Sequence, residues 1–275
     1  MNEIAFTLRQ DFTVPIEGSS LSPDVLSGKT AEEIQKLECW VGNRQGGLGD
    51  VFLVSGDTGS NPEDTKIKIL GKTARLRRVG WRMTAGEIEV EQDVGFCLGE
   101  RMSGGKILIK GNADGWAGTR MQGGEIEILG NAGHYLGGAY WGTSMGMQDG
   151  TITVRGNVGS EAGCWMSGGL IKIGGQAGGF AGIHMQKGCV AVYGSSGFRP
   201  GASMKGGTIV VLGEVPSVLP SFVIEGKRKS VKFGKERIEA DLYLFTGDIT
   251  EHGDGRLFIS VEKNPHLSKY EAFTE

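Results

Sequence analysis

Seven copies of one short phrase run from Met83 to Gly213, and they constrain the fold more than anything else in the chain. Aligned on methionine, the copies begin at Met83, Met102, Met121, Met147, Met166, Met185 and Met204. The steps are 19 residues, except for one of 26 that carries a seven-residue insertion. A strict short period of this kind marks repeated units that bury their apolar sides against one another. Within a copy the apolar residues alternate: Ile126 and Ile128 flank Glu127, and Ile171 and Ile173 flank Lys172, with Ile107 and Ile109 at the same places in an earlier copy. That is the two-residue period of a strand with one buried face.

Glycine recurs at three further offsets from each methionine: three places on (Gly105, Gly124), nine places on (Gly111, Gly130) and sixteen places on (Gly118, Gly137). Sharp bends at fixed points need positive φ or close backbone approach, which glycine supplies without a Cβ clash. No long helix fits between bends this close. The repeat therefore predicts an all-β, right-handed parallel β-helix of ~19-residue coils. The hand does not follow from the repeat length, although a left-handed hexapeptide helix would use coils of about eighteen residues. Seven of the nine methionines should form one interior column of core filler, because methionine packs irregular gaps well.

Residues 1–45 lie outside the repeat. Thr30 and Glu33 have capping-box spacing, which predicts a short helix over 31–38 that covers the first coil. Residues 46–215 are the coils, with DVFLVSGD and TKIKILGK as imperfect early copies. Residues 216–275 read as a small C-terminal β cap ending in a surface extension, NPHLSKYEAFTE, or an arm laid on another protein of an assembly.

The 275 residues are 39% hydrophobic with a formal charge of −3, which gives no pointer to nucleic acid or an anionic membrane surface. The opening MNEIAFTLRQDF lacks the apolar centre of a signal peptide, and no run approaches a membrane span. Cys39, Cys97, Cys164 and Cys189 show no CxxC spacing, as expected of reduced, cytoplasmic thiols.

The residues point to no catalytic set. His134 and His184 occupy different offsets two copies apart, and no HExxH, GxSxG or Walker loop is present. Asp93 and Asp114 lack the third partner that a lyase-type calcium site needs, and Asn112, Asn131 and Asn157 suit a hydrogen-bonded ladder at a bend. Two features suit binding. Arg82, Arg101 and Arg120 each precede a methionine at 19-residue spacing, either as a solvated, ion-paired face or as a docking stripe for an acidic partner or a polyanionic substrate tail. Tyr140 and Trp141, in the insertion, either fold back over their own coil or anchor a partner protein.

Taken together, the MxGGxIxVxGNxGxxxG repeat, the AYWG insertion, the leading SPDVLSGKTAEEI and the trailing LPSF and LYLFTGD resemble the C subunit of formylmethanofuran dehydrogenase over nearly the whole chain. The repeat alone is also similar to the C-terminal domain of the glutamate synthase large subunit and to the equivalent subunit of the bacterial formyltransferase/hydrolase complex. The first resemblance implies a complex that reduces carbon dioxide to formate and condenses it with methanofuran, at the start of methanogenesis. It implies partners as well: a formate-dehydrogenase-like subunit with a molybdenum or tungsten pterin and an iron–sulfur cluster, an amidohydrolase-like subunit with a binuclear metal site, further subunits, and electron-supplying complexes. This chain would carry no cofactor, metal or catalytic residue and would act as a scaffold. The alternatives are a stand-alone β-helix protein acting as a ligand-binding module or glycan-active enzyme, and a structural domain similar to that of glutamate synthase.

Overall fold

In a computed structural model, which describes residues 1–274, the strands follow the repeat. The first segment contains β1 (Asn2–Leu8), β2 (Ile16–Glu17), α1 (Pro23–Leu26), α2 (Ala31–Gln35), β3 (Glu38–Val41), β4 (Arg44–Gly47), α3 (Leu48–Val51), β5 (Phe52–Gly56), β6 (Thr65–Leu70) and β7 (Leu76–Arg77). The methionine copies then supply β8 (Glu87–Val90), β9 (Lys106–Ile109), β10 (Gln122–Ile128), β11 (Asp149–Val154), β12 (Ser167–Ile173), β13 (Lys187–Val192) and β14 (Thr208–Val211). The chain ends with β15 (Val223–Phe233), β16 (Glu236–Gly247), β17 (Gly255–Ser260) and a 3₁₀ segment, Pro265–Phe273.

The expectation of a right-handed parallel β-helix is corrected by the sheet topology. One mixed, 13-stranded sheet runs in the order β15-β16-β17-β14-β13-β12-β11-β10-β9-β8-β6-β1-β5. Its middle is parallel, but β1 with β5, and β15 with β16 with β17, pair antiparallel. The physical reason lies in the rest of each copy. Away from the named strands, the β pairing between neighbouring copies shrinks to single-residue parallel bridges, Val94 to Ala113 to Ala132 to Val158 to Ala177 to Ser196. Each 19-residue copy thus spends one stretch on a ladder and the remainder on tight bends, too kinked to extend a second sheet.

The alternation places Ile107, Ile109, Ile126, Ile128, Ile171 and Ile173 on the buried face, and all seven repeat methionines are fully buried with them. A second apolar layer lies on the other face, where the β15–β16 hairpin brings Val231, Phe233 and Ile238 against Ala191, Val210 and Phe258. Further along, that face is charged, with Lys66, Glu89, Lys110 and Glu91 linked by ion pairs.

Three local expectations changed. The Thr30–Glu33 capping box is present, but its helix stops at Gln35. The N-terminal stretch is not merely a helix-bearing lid, because Asn2–Leu8 is itself a strand inserted between β5 and β6. The terminal segment lies on its own chain: Leu267 is buried and Tyr270 packs edge-on against Phe245 at 5.5 Å. Glu275, the last residue of that expected arm, lies outside the described residues.

Candidate functional site: an arginine and aromatic corner

The bends between strands place the candidate residues. In one copy the Thr119 amide donates to the Trp116 carbonyl (3.2 Å) and the Met121 amide to the Gly118 carbonyl (3.1 Å), so two four-residue turns overlap. The third residue of each has positive φ, +70° at Gly118 and +55° at Arg120, which is the type II signature. Trp116, which opens the first turn, is also left-handed at +59°. The same corner recurs in the other copies, so non-glycine residues hold left-handed backbone in two columns. One column contains Arg78, Cys97, Trp116, Tyr135, Glu161, Phe180 and Arg199, and the other contains Arg82, Arg101, Arg120, Trp165, His184 and Ser203. Rungs between copies fix the spacing: the Arg82 amide donates to the Glu100 carbonyl at 2.9 Å and the Arg101 amide to the Thr119 carbonyl at 3.0 Å.

The expected arginine stripe is therefore one column, although its members have different surroundings. Arg82 has its guanidinium 4.5 Å from the centre of the Trp81 ring. Arg101 is half-buried, with Nε 3.9 Å from a carboxylate oxygen of Glu100. Arg120 is half-buried and forms no ion pair among the described residues.

Ala139 occupies the place of Arg120 in the next copy, donating its amide to the Cys164 carbonyl at 3.0 Å, and the seven inserted residues begin at Tyr140. The insertion folds back toward earlier copies, the first of the two alternatives expected for its aromatic residues. Tyr140 is half-buried and donates its hydroxyl to the Cys97 sulfur. Trp141 stands edge-on against Trp116 (5.7 Å) and Tyr135 (6.0 Å), yet it is 76% exposed. Trp116 stacks on Tyr135 at 4.8 Å and touches Phe96 at 6.1 Å, so the aromatic residues form one continuous strip.

Sequence reasoning missed Arg78, Glu100, Cys97 and Trp116. The Glu100 carboxylate is almost fully buried, with one oxygen 3.2 Å from Arg78 Nε but outside hydrogen-bond geometry. Beside it, Pro15, Arg75, Arg77, Arg78 and Phe96 line a cleft of about 320 Å³. Burial pushes the Cys97 thiol up, and it pushes the Tyr140 phenol up too, reinforced by Cys97. Both are therefore neutral near pH 7. The 19-residue spacing reveals the column of Arg82, Arg101 and Arg120 through a repeated identity, which Arg78, Cys97 and Trp116 do not share.

The asparagine ladder is present as expected. Asn131 N donates to Asn112 Oδ1, Asn157 N to Asn131 Oδ1 and Gln176 N to Asn157 Oδ1, each at 2.8 Å. Asp93 starts the ladder, accepting from Asn112 N at 2.7 Å. The four cysteines are unpaired. Among the described residues, no group of three or more His, Cys, Asp or Glu is placed to hold a metal ion, and no helix is long and apolar enough to cross a membrane.

No protein-family model matches the chain. Among curated proteins, the C subunit of the tungsten-containing formylmethanofuran dehydrogenase 2 of Methanothermobacter wolfeii is 42% identical over 99 residues, 36% of this chain and 37% of that protein. The C subunit of the molybdenum-containing formylmethanofuran dehydrogenase 1 of Methanosarcina barkeri is 37% identical over 95 residues, 34% and 32% of the two chains. The chain thus spans about a third of the length of these curated relatives in the stretch it matches. Among solved structures, a chain of the formyltransferase/hydrolase complex (FhcABCD) from Methylorubrum extorquens, crystallised with methylofuran, is similar with a TM-score of 0.82 and 32% identity. That similarity covers 93% of this chain and 99% of the other.

Proposed function

The chain belongs to the C-subunit family of formylmethanofuran dehydrogenase, and from that premise we propose that it is a non-catalytic scaffold subunit of such a complex. The observation that carries this reading is the end-to-end similarity to one chain of a multisubunit assembly, at a TM-score of 0.82. The corner agrees with it, since a strip of aromatics ending in an exposed tryptophan beside arginines has the composition of a protein interface.

In this reading the assembly is cytoplasmic, reduces carbon dioxide to formate and condenses it with methanofuran. The chemistry resides on partners: a formate-dehydrogenase-like subunit with a molybdenum or tungsten pterin and iron–sulfur clusters, and an amidohydrolase-like subunit with a binuclear metal site. This chain holds the two together, with further subunits or electron-supplying complexes attached, and contributes no cofactor.

Native affinity purification through a tag on this chain tests the proposal. Larger chains bearing molybdenum or tungsten and iron–sulfur clusters should come with it; a chain recovered alone counts against it. The FhcABCD similarity favours a second reading, membership of a formyltransferase/hydrolase complex. Co-purified chains without those redox metals would select that alternative.

A further inference from the structure

We propose that the corner formed by Glu100, Arg101, Trp116, Thr119 and Arg120 receives a carboxylate from a partner protein of the complex, an Asp or Glu side chain or a chain terminus, set beside Trp141. The inference rests on the scaffold reading and deepens it by naming the chemistry of the contact.

Among the described residues, seven buried side-chain polar atoms lack a partner, and five belong to this corner: Glu100 Oε2, Arg101 Nε, Trp116 Nε1, Thr119 Oγ1 and Arg120 Nε. Their residues stand on adjoining turns, since the Arg101 amide donates to the Thr119 carbonyl and the Thr119 amide to the Trp116 carbonyl. Unmade bonds of this kind are rare in folded proteins. Three of the five are N–H donors and a fourth is a hydroxyl, so an acceptor would meet four of them, while Glu100 Oε2 is itself an acceptor and leans on Arg78 and Arg101.

Charge points the same way. Arg78 and Arg101 share one internal carboxylate, Glu100, at 3.2 and 3.9 Å, while Arg120 has none among the described residues. The half-buried guanidinium of Arg120 presents its terminal nitrogens to such a carboxylate, and a side-on grip through Nε as well requires the groups that cover Nε to shift. The rim supplies apolar anchorage: Trp141 and Phe96, both against Trp116, are 76% and 44% exposed. A protein segment meets both demands, with an acidic group for the arginines and apolar side chains for the rim. Arg101 and Arg120 hold this place in left-handed backbone, where glycine would be less strained.

The test uses the assembled complex. Arg120→Lys places an amine at the corner, and a zero-length carbodiimide then joins it to any carboxylate in contact. The expected product is an isopeptide between that position and an Asp, Glu or C-terminal carboxylate of a partner protein. In parallel, Arg120→Glu should weaken association with that partner about tenfold or more, by replacing an attractive charge pair with a repulsive one, while the melting temperature of the isolated chain holds. Coupling only to Glu100, or unchanged association of Arg120→Glu, overturns the proposal but leaves the scaffold reading intact. Failure of the unsubstituted chain to assemble with any larger partner overturns both. Coupling blocked by free oligoglutamate, with association of Arg120→Glu unchanged, would assign the corner to a polyanionic small molecule instead and overturn the partner contact.

Discussion

The Tyr140 hydroxyl donates a 3.3 Å hydrogen bond to the Cys97 sulfur, two copies earlier in the stack. This contact pins the start of the insertion across the aromatic strip and leaves Trp141 facing outward. A neutral hydrogen bond of this kind contributes roughly 1 kcal/mol net. Tyr140→Phe should therefore lower the unfolding free energy by about that amount. It should also raise the rate at which Cys97 is alkylated, because the loop covering the thiol is no longer tethered. Urea unfolding and timed labelling followed by mass spectrometry check both outcomes.

The methionine column is structural. Met121 is fully buried, and a Cβ added at Gly150 would lie 2.7 Å from its terminal methyl and 2.8 Å from the Gly124 carbonyl oxygen. Gly150 also has φ of +95°, so both space and backbone reject a side chain. Met121→Ala should cost about 2–5 kcal/mol through the cavity it leaves. Gly150→Ala should cost more than about 1 kcal/mol through overpacking and strain. Chemical denaturation of the two variants separates these effects from the neutral control Lys106→Gln.

The ion-paired face makes a pH prediction with a definite sign. Lys110, then Lys66, holds the Glu89 carboxyl down to about 2 from an ordinary 4.5. A depressed acid contributes stability that is complete above pH 4.5 and is lost as pH falls toward 2. The side chain is covered by its neighbours but lies at the sheet surface, so screening reduces the contribution to about 1 kcal/mol. Thermal unfolding between about pH 6 and about pH 2 should show this loss, and Glu89→Gln should flatten it.

These results also show what a reader of the sequence alone can and cannot see. Features in which equal offsets carry equal residues were legible: the buried methionines, the alternating isoleucines and the asparagine ladder. The left-handed columns were not, because the same backbone conformation is held by arginine, tryptophan, histidine and serine, and only glycine advertises positive φ. Strand Asn2–Leu8 escaped because it lies outside the period and pairs between β5 and β6. The alternation identified strands but not how many sides of each copy would pair, which is why a mixed sheet with antiparallel ends replaced the expected architecture. Glu100 was hidden for a simpler reason, since Trp81 and Thr119 hold its place in the neighbouring copies.

The asparagine ladder tolerates charge at one end, because Asp93 accepts from Asn112 at 2.7 Å as the asparagines do at 2.8 Å. What each rung requires is an acceptor oxygen on a short side chain. Asn131→Asp should therefore leave stability within about 0.5 kcal/mol, whereas Asn131→Leu should cost roughly 1–2 kcal/mol by stranding the Asn157 amide. Chemical denaturation of both variants checks this. Equal effects from the two substitutions would mean that the ladder contributes nothing beyond packing.

Arg120 sets stability against assembly. Its φ of +55° places a long side chain in a conformation that costs an L-residue roughly 1–2 kcal/mol. Replacing it by glycine removes that strain and adds unfolded-state entropy worth about 0.5–1 kcal/mol. The arginine forms no ion pair among the described residues that would be lost. Arg120→Gly should thus hold or raise the unfolding free energy by up to about 1 kcal/mol while weakening association with partner proteins. A residue kept for the fold would show the opposite pair of changes, a lower melting temperature with unimpaired assembly. Calorimetry on the isolated chain and native mass spectrometry on the complex distinguish the two, because a partner contact appears only in the second measurement and backbone strain in the first.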